Sequence, residues 1–224
     1  MPKSSNDRTT ISREDYLETI YHLESEEKVP TTNEIARHLK ISLPSVSESI
    51  KKLAGEKYLD HLPYKGVRLT AKGKKVALDV VRRHRLSERF LVDKLGVKWE
   101  DAHQEAHKLE HGISKVIGNK MYDMLGQPKT CPHGNPLPDK DGHLREMKSM
   151  PLTKAGPKDR VQIVKITNED KKILCYLATL GLMPRIKLRI EEKAPFQGPV
   201  MIRIGNSTYA LGKDVADSIW VRKI

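Results

Sequence analysis

The sequence predicts a mostly helical chain with a small β component, in successive modules. Three observations carry this reading. Apolar residues recur at helical spacing through much of the first 125 residues, two short alternating stretches interrupt them near residue 60, and short alternating runs broken by Gly and Pro fill the chain beyond residue 160. At 224 residues there is room for two or three small modules, each able to close a core if compact or packed on a partner. The 41 Lys and Arg against 29 Asp and Glu leave a net charge of +12, which makes an acidic polymer or an anionic surface the natural partner. Nucleic acid leads, because the basic residues are interleaved with helix-forming sequence instead of gathered in a tail.

Behind the polar start MPKSSNDRTT, Ser12 is placed to cap a helix through REDYLETIYHLESEE, where Tyr16, Leu17, Ile20 and Leu23 share a face. Thr31 or Thr32 then caps a short helix with Ile35, Ala36 and Leu39 inward, and KISL turns the chain. Pro44, preset for a first helical turn, opens a second helix with Val46, Ile50 and Leu53 inward and Gly55 near its end. Tyr58 to His61 and Val67 to Leu69 flank a turn with Pro63, Lys65 and Gly66, which reads as a hairpin. Two short helices on a tight turn, followed by a basic hairpin, describe a winged helix-turn-helix. The second helix is then the one for the major groove. Ser42, Pro44, Ser45, Ser47, Glu48, Lys51 and Lys52 suit phosphates and base edges, and Lys65 and Arg68 on the wing suit the adjacent backbone. The alternative is the solvated face of a small helical domain.

Thr70 can cap a long amphipathic helix, AKGKKVALDVVRRHRLSERFLVDKLG. After a break at Gly96, a second long helix is expected over WEDAHQEAHKLEHGISKVIGNKMYDML. Two helices alone have too little core, so their surplus apolar surface points to a dimer interface. Gln127 to about Arg160 reads as an irregular linker. Beyond it VQIVKI, a short helical KKILCYLATLGL, and the strands IKLRIEEKAP, PVMIRIG, STYALG and SIWVRKI predict a small SH3-like β-barrel. Cys131 and Cys175 make no disulfide framework, the start lacks a signal-peptide pattern, and no apolar run approaches the roughly 18 to 20 residues that span a bilayer. The expected setting is soluble, reducing and cytoplasmic.

One stretch carries chemistry. HKLEH at residues 107 to 111 reads H-x-x-E-H, the inverted zinc-peptidase signature. Residues four apart share a helix face, so His103, His107 and His111 are expected on one stripe with Glu110 beside them, and His84 and Glu88 on another. If the helices pack together, His84, Glu88 and His103 could close on one cation and His107, Glu110 and His111 on another. Nitrogen and oxygen donors of this kind suit first-row divalent ions. A lone Glu/His pair at this spacing is more often an exposed helix contact. A peptidase needs, besides, a glutamate on water, a further protein ligand and a substrate cleft, whereas this motif follows a DNA-binding layout.

Taken in order, YLETIYHLE, IARHLKISLPSVSESIKKL, GVRLTAKGKKVA, RRHRLSERFL, EAHKLEH, CPHGNPLP and the terminal barrel resemble the diphtheria-toxin-repressor family of iron- and manganese-dependent transcriptional repressors, over nearly the whole chain. The resemblance implies a winged helix-turn-helix over residues 1–75, a helical metal-binding and dimerisation domain over 76–145, a linker over 146–160 and an SH3-like, FeoA-type domain over 161–224. It implies a homodimer that takes Mn(II) or Fe(II), with other first-row divalent ions able to substitute, grips a palindromic operator and shuts off metal-uptake genes. It implies no catalytic activity and no membrane.

Motif by motif, the family's primary regulatory site falls on Asp15, His107, Glu110 and His111. Cys131 of CPHG lies where some members recruit a thiolate to it, and Glu18 where manganese-sensing relatives place a further carboxylate. The ancillary site falls on His84, Glu88 and His103 and, by register through YLATLGLMP, on Asp170, with Glu169 adjacent. Iron-sensing members commonly have Met at the position of Asp15 and Cys at that of His107, and the manganese branch prefers Asp and Glu there. Asp15 therefore favours Mn(II), while His107 fits neither branch. Glu48 stands where the iron-sensing branch has Gln, so a different base preference is expected, the carboxylate accepting from cytosine N4. Within the fold the alternative is a winged-helix regulator with a non-metal effector and structural histidines. Outside it the alternative is the peptidase.

Overall fold

The computed structural model describes residues 13–24, 29–62 and 65–224. The polar start with Ser12, and Pro63 of the hairpin turn, lie outside the described residues. The chain divides into two compact units, residues 1–81 and 82–224.

In the first unit, α1 (Arg13–Glu24) buries Tyr16, Leu17, Ile20 and Leu23, α2 (Thr32–Leu39) buries Ile35 and Ala36, and α3 (Leu43–Gly55) buries Val46, Ile50 and Leu53. These close one core with Leu59 of β1 (Leu59–Leu62) and Val67 of β2 (Gly66–Leu69). Each such aliphatic side chain taken fully from water contributes roughly 1.5–3 kcal/mol. Thr31, not Thr32, caps α2: its hydroxyl accepts from the Glu34 N–H, and the Glu34 carboxylate accepts from the Thr31 N–H at 2.8 Å.

The stop of α3 does not use its glycine. Lys57 takes the left-handed conformation at φ 61, its N–H donates to Ala54 O, and the Tyr58 N–H donates to Leu53 O. Gly66 does need to be glycine. Its φ is +126, and a Cβ there would come within 2.2 Å of Pro30 O, the carbonyl that accepts from the Val67 N–H. The wing is thereby fastened to the chain that enters α2.

Thr70 caps α4 (Ala71–Asp93) through the Gly73 N–H at 3.1 Å, and α4 begins in the first unit and ends in the second. The second long helix of the expectation is broken in two. After α5 (Ala102–Leu109) the backbone tightens into a 3₁₀ turn at Glu110–Gly112, extends at Ile113, and restarts as α6 (Lys115–Met124) with Ser114 as its cap. Ser114 accepts from the Ile117 N–H, which offers the chain a new helix start in place of continuation. Leu86, Met121 and Leu137 form a small core here, while Leu109, Val116, Ile117 and Met124 leave apolar surface exposed.

The expected irregular linker is also partly wrong. Residues 131–138 are all buried, and Met150–Pro151 already forms β3, followed by a 3₁₀ turn at Leu152–Lys154. The remaining elements are β4 (Arg160–Ile166), α7 (Lys171–Thr179), β5 (Lys187–Lys193), β6 (Val200–Ile204), β7 (Ser207–Leu211), α8 (Lys213–Ser218) and β8 (Ile219–Lys223). They build a six-stranded antiparallel sheet in the order β3-β8-β4-β5-β6-β7, bent by bulges near Val164 and Glu191. Its core includes Trp99, from the chain just before α5, together with Leu152, Leu174 and Ile190.

Replacing Thr31 by Ala removes one half of the capping box and is expected to cost about 1 kcal/mol of local stability. Amide exchange checks this: protection is lost across α2 first, with the sheet of the second unit unchanged.

Candidate metal centre

The centre is built around Glu88, four residues after His84 on α4 and without solvent exposure. One oxygen, Oε1, lies 3.2 Å from His84 Nε2, 3.3 Å from His103 Nδ1 and 3.2 Å from His133 Nδ1. The other, Oε2, is buried with no hydrogen-bond partner among the described residues. Glu169, in the loop between β4 and α7, reaches the same place, with its two oxygens 3.2 Å from His103 Nδ1 and 3.2 Å from His133 Nδ1. Donor atoms of His84, Glu88, His103 and Glu169 lie within 4.8 Å of one another, and so do those of Glu88, Cys131, His133 and Glu169. The two sets share both carboxylates.

Long-range hydrogen bonds hold the segment TCPHGNPLP in position. Arg89 donates to the carbonyls of Thr130 and Cys131, Arg85 to Pro136 and Arg82 to Pro138, so α4 clamps the segment along its length. Gly134, at φ +86, approaches β4 so closely that a Cβ would come within 2.1 Å of Val164 O. Trp99 closes the other side: its indole N–H donates to Pro132 O, and His133 Nε2 lies 3.0 Å from Trp99 O. That last contact makes Nε2 a donor to Trp99 O in either protonation state and turns Nδ1 toward Glu88 and Glu169.

A second group lies one turn earlier on α4. Glu110, fully buried in the 3₁₀ turn, is 2.5 Å from His84 Nδ1 through Oε2, and through Oε1 is 2.8 Å from His107 Nδ1 and 3.3 Å from His111 Nε2. Arg83 donates to the Glu110 carbonyl and steadies the turn. His84 is thus placed between the two groups. The glutamate of HKLEH is enclosed by imidazoles, not presented to a cleft as a peptidase base would need to be.

Burial disfavours every charge in this cluster, and for its carboxylates and for His103 and His133 the opposite charges and hydrogen bonds outweigh that. Burial raises Glu88, but His133 and His84 hold it well below the usual carboxylate range. Burial likewise opposes the ionisation of Glu110, yet hydrogen bonds from His107 and His84 bring it down to about 2. His103 is lowered by burial and then lifted to about 9 by its hydrogen bond to Glu169 and that group's charge. Cys131 is pushed up to about 11, first by burial and then by the negative charge of Glu88.

Two expectations about ligands are corrected. Asp170 is not the acid that reaches the centre: its carboxylate caps α7, accepting from the Lys172 N–H at 2.8 Å, and Glu169 reaches in instead. Cys131 belongs with Glu88, His133 and Glu169 rather than with Glu110, because the arginine clamp fixes it beside Glu88. The single stripe of His103, His107 and His111 is interrupted, since α5 ends at Leu109. His133 was missed by sequence reasoning; its signal was a histidine held between Pro132 and Gly134 in a stretch taken for a linker.

The first unit carries Asp15, half-buried, and Glu18, buried, on α1, with Glu18 Oε1 3.8 Å from His22 Nε2. Ser42, Pro44, Ser45, Ser47, Glu48, Lys51 and Lys52 are exposed at the start and along one side of α3, and Lys65 and Arg68 on the hairpin. The Ser42 hydroxyl also caps α3, accepting from the Ser45 N–H.

Comparison with known proteins gives a consistent picture. Residues 8–67 match the family model of an iron dependent repressor N-terminal DNA binding domain, residues 70–139 that of an iron dependent repressor metal binding and dimerisation domain, and residues 150–223 that of a FeoA domain. The iron-dependent repressor IdeR of Mycobacterium leprae is 30% identical over 221 residues, covering 93% of this chain and 96% of that protein. The diphtheria toxin repressor of Corynebacterium glutamicum is 29% identical over 220 residues, covering 93% and 95%. A solved manganese-dependent transcriptional repressor in complex with manganese superimposes with a TM-score of 0.87 at 34% identity, covering 94% of this chain and 99% of that one.

In the ion-free protein, His103 stabilises the fold while it is protonated. Its folded value of about 9 lies above the ordinary 6.5, so this contribution is complete below pH 6.5 and is lost as the pH rises toward 9. Thermal melts in the presence of a chelator should fall across that window, and Glu169→Gln should flatten the fall. At the acid end, Glu110 contributes above pH 4.5 and loses its contribution as the pH drops toward 2.

Proposed function

Because the chain belongs to the iron-dependent repressor family, we propose that it is a DNA-binding repressor activated by Mn(II) or Fe(II). It works as a cytoplasmic homodimer, grips a palindromic operator ahead of metal-uptake genes, and catalyses no reaction. The observation that carries this reading is Glu88, a carboxylate without solvent exposure that faces three imidazoles and keeps one oxygen without a hydrogen-bond partner among the described residues. A buried carboxylate with an open lone pair is costly unless a cation takes it.

The ancillary ligands are His84, Glu88, His103 and Glu169, with Cys131 and His133 as the further donors on the same two carboxylates. The primary set is Asp15 and Glu18 from α1 with His107, Glu110 and His111. When bound, the ion supplies the positive charge that these carboxylates otherwise lack. Asp15 and Glu18 stand on α1, in the unit that carries the reading helix α3. Left to themselves, the acids of that set repel, and the operator-competent arrangement of two reading helices is rarely populated. The Asp15 carboxylate, a hard donor, favours Mn(II) over Fe(II).

Histidines held protonated in the ion-free state must give up a proton to offer a lone pair. His103 and His133, both raised by the neighbouring acids, therefore make ion uptake release protons near neutrality, and affinity rises with pH.

Mobility-shift titrations of promoter DNA with Mn(II) and Fe(II) in parallel test the reading. DNA affinity should rise with ion concentration, at lower free Mn(II) than Fe(II), and equal affinity with and without ion would end the proposal. Asp15→Ala should raise the Mn(II) needed for half-maximal binding about tenfold, within the 1–3 kcal/mol common for such coupling, and leave helix content unchanged. An unbuffered indicator assay at pH 7 should register proton release on Mn(II) addition, reduced in His103→Gln.

A further inference from the structure

The outer face of the six-stranded sheet has no task in this scheme, yet it is strongly charged. Residues 150–224 hold 14 Lys and Arg against 7 Asp and Glu. Several of these cations stand in register. Arg160 on β4 pairs opposite Arg189 on β5, which pairs opposite Arg203 on β6, while the alternate positions Val161, Leu188, Ile190 and Ile202 fill the core. Two residues along the strands, Arg222 on β8 lies opposite Gln162, and Gln162 opposite Lys187. All five cations are exposed. With strands about 4.8 Å apart, the arginine row spans roughly 10 Å, and the second row runs beside it about 7 Å away.

Like charges directly opposite across strands destabilise a sheet, and folding asks only for polar residues at these positions. Little on the face offsets them. Glu191, at the bulge, is 2.8 Å from Arg203 Nε and 4.0 Å from Arg189 Nε, and Arg222 donates to the Gln162 side chain. Arg160 and Lys187 have no acidic partner among the described residues. Planar guanidinium groups suit phosphate oxygens, and duplex DNA presents about one charge per 1.7 Å of axis. Single strands would need open aromatic faces beside the cations for stacking, whereas Trp220 lies under Lys165 Nζ at 4.9 Å, and the exposed Phe196 and Tyr176 stand off these strands, in the β5–β6 loop and on α7. Duplex DNA held by α3 is already at high local concentration, which favours it over an acidic polypeptide.

We propose that Arg160, Lys187, Arg189, Arg203 and Arg222 form a second, sequence-independent contact for the phosphates of duplex DNA. This rests on the DNA-binding reading above, and the test separates the two. Fluorescence anisotropy of the full-length protein with Mn(II) on a labelled random-sequence duplex is followed across salt concentration. Arg160→Gln/Arg189→Gln/Arg203→Gln should lower the slope of log K against log salt by two to three, at about 0.9 per phosphate contact. Affinity at low salt should fall tenfold or more, and the thermal melt should hold or rise as like charges are removed. Lys187→Gln/Arg222→Gln should give a smaller loss of the same sign and keeps the test open if the triple variant misfolds.

An unchanged slope in folded variants overturns the proposal. So does a loss of binding to poly-L-glutamate with the DNA slope intact, which would assign the face to an acidic polypeptide. Lys51→Ala/Lys52→Ala is the companion: if it alone leaves binding unaltered, the reading of α3 fails while the sheet contact stands.

Discussion

A carboxylate with no solvent exposure in the middle of a helix is the constraint around which the second unit is arranged. Taking Glu88 out of water costs several kcal/mol unless opposite charge and hydrogen bonds meet it. Three imidazoles do so, and each comes from a different part of the chain: His84 from α4 itself, His103 from α5, and His133 from the segment beyond α6. The scaffold is largely the machinery that delivers them. Arginines of α4 hold the His133 segment by its carbonyls, and Lys171 at the start of α7, 2.6 Å from Asp101 before α5, ties Glu169's neighbourhood to His103's.

The choice of histidine has a physical reason. Lysine or arginine would neutralise the buried acids permanently and leave no lone pair for an ion. Beside Glu88 and Glu169, His103 and His133 are raised toward the protonated form, and an imidazole, unlike lysine or arginine, offers a lone pair once it loses that proton.

The two units distribute charge in opposite ways. In the first, serines, Glu48 and lysines lie exposed along α3 over a mostly apolar interior in which Glu18 is the buried acid among the described residues. In the second, acids are drawn inside and arginines line the outside of the sheet. A net charge of +12 counts buried and exposed acids alike, so it does not disclose that Glu88 and Glu110 lie inside.

Much of this was legible in the sequence wherever the determinants are local. The caps at Thr31 and Thr70, the apolar stripes of α1 to α4, the hairpin and the four-residue spacing of His84 and Glu88 depend on residues within a few positions of one another. The break after Leu109 was readable in principle from Ser114 but was overridden by a long apolar period. What the sequence did not disclose was decided by tertiary contacts: Cys131 and His133 are placed by arginines about 40 to 55 residues upstream, and Glu169 rather than Asp170 turns inward because Asp170 is used to cap α7. Spacing along one helix settles which side chains share a face. Which distant segment meets that face depends on where the chain's carbonyls and helix ends find their partners, and that only the folded structure decides.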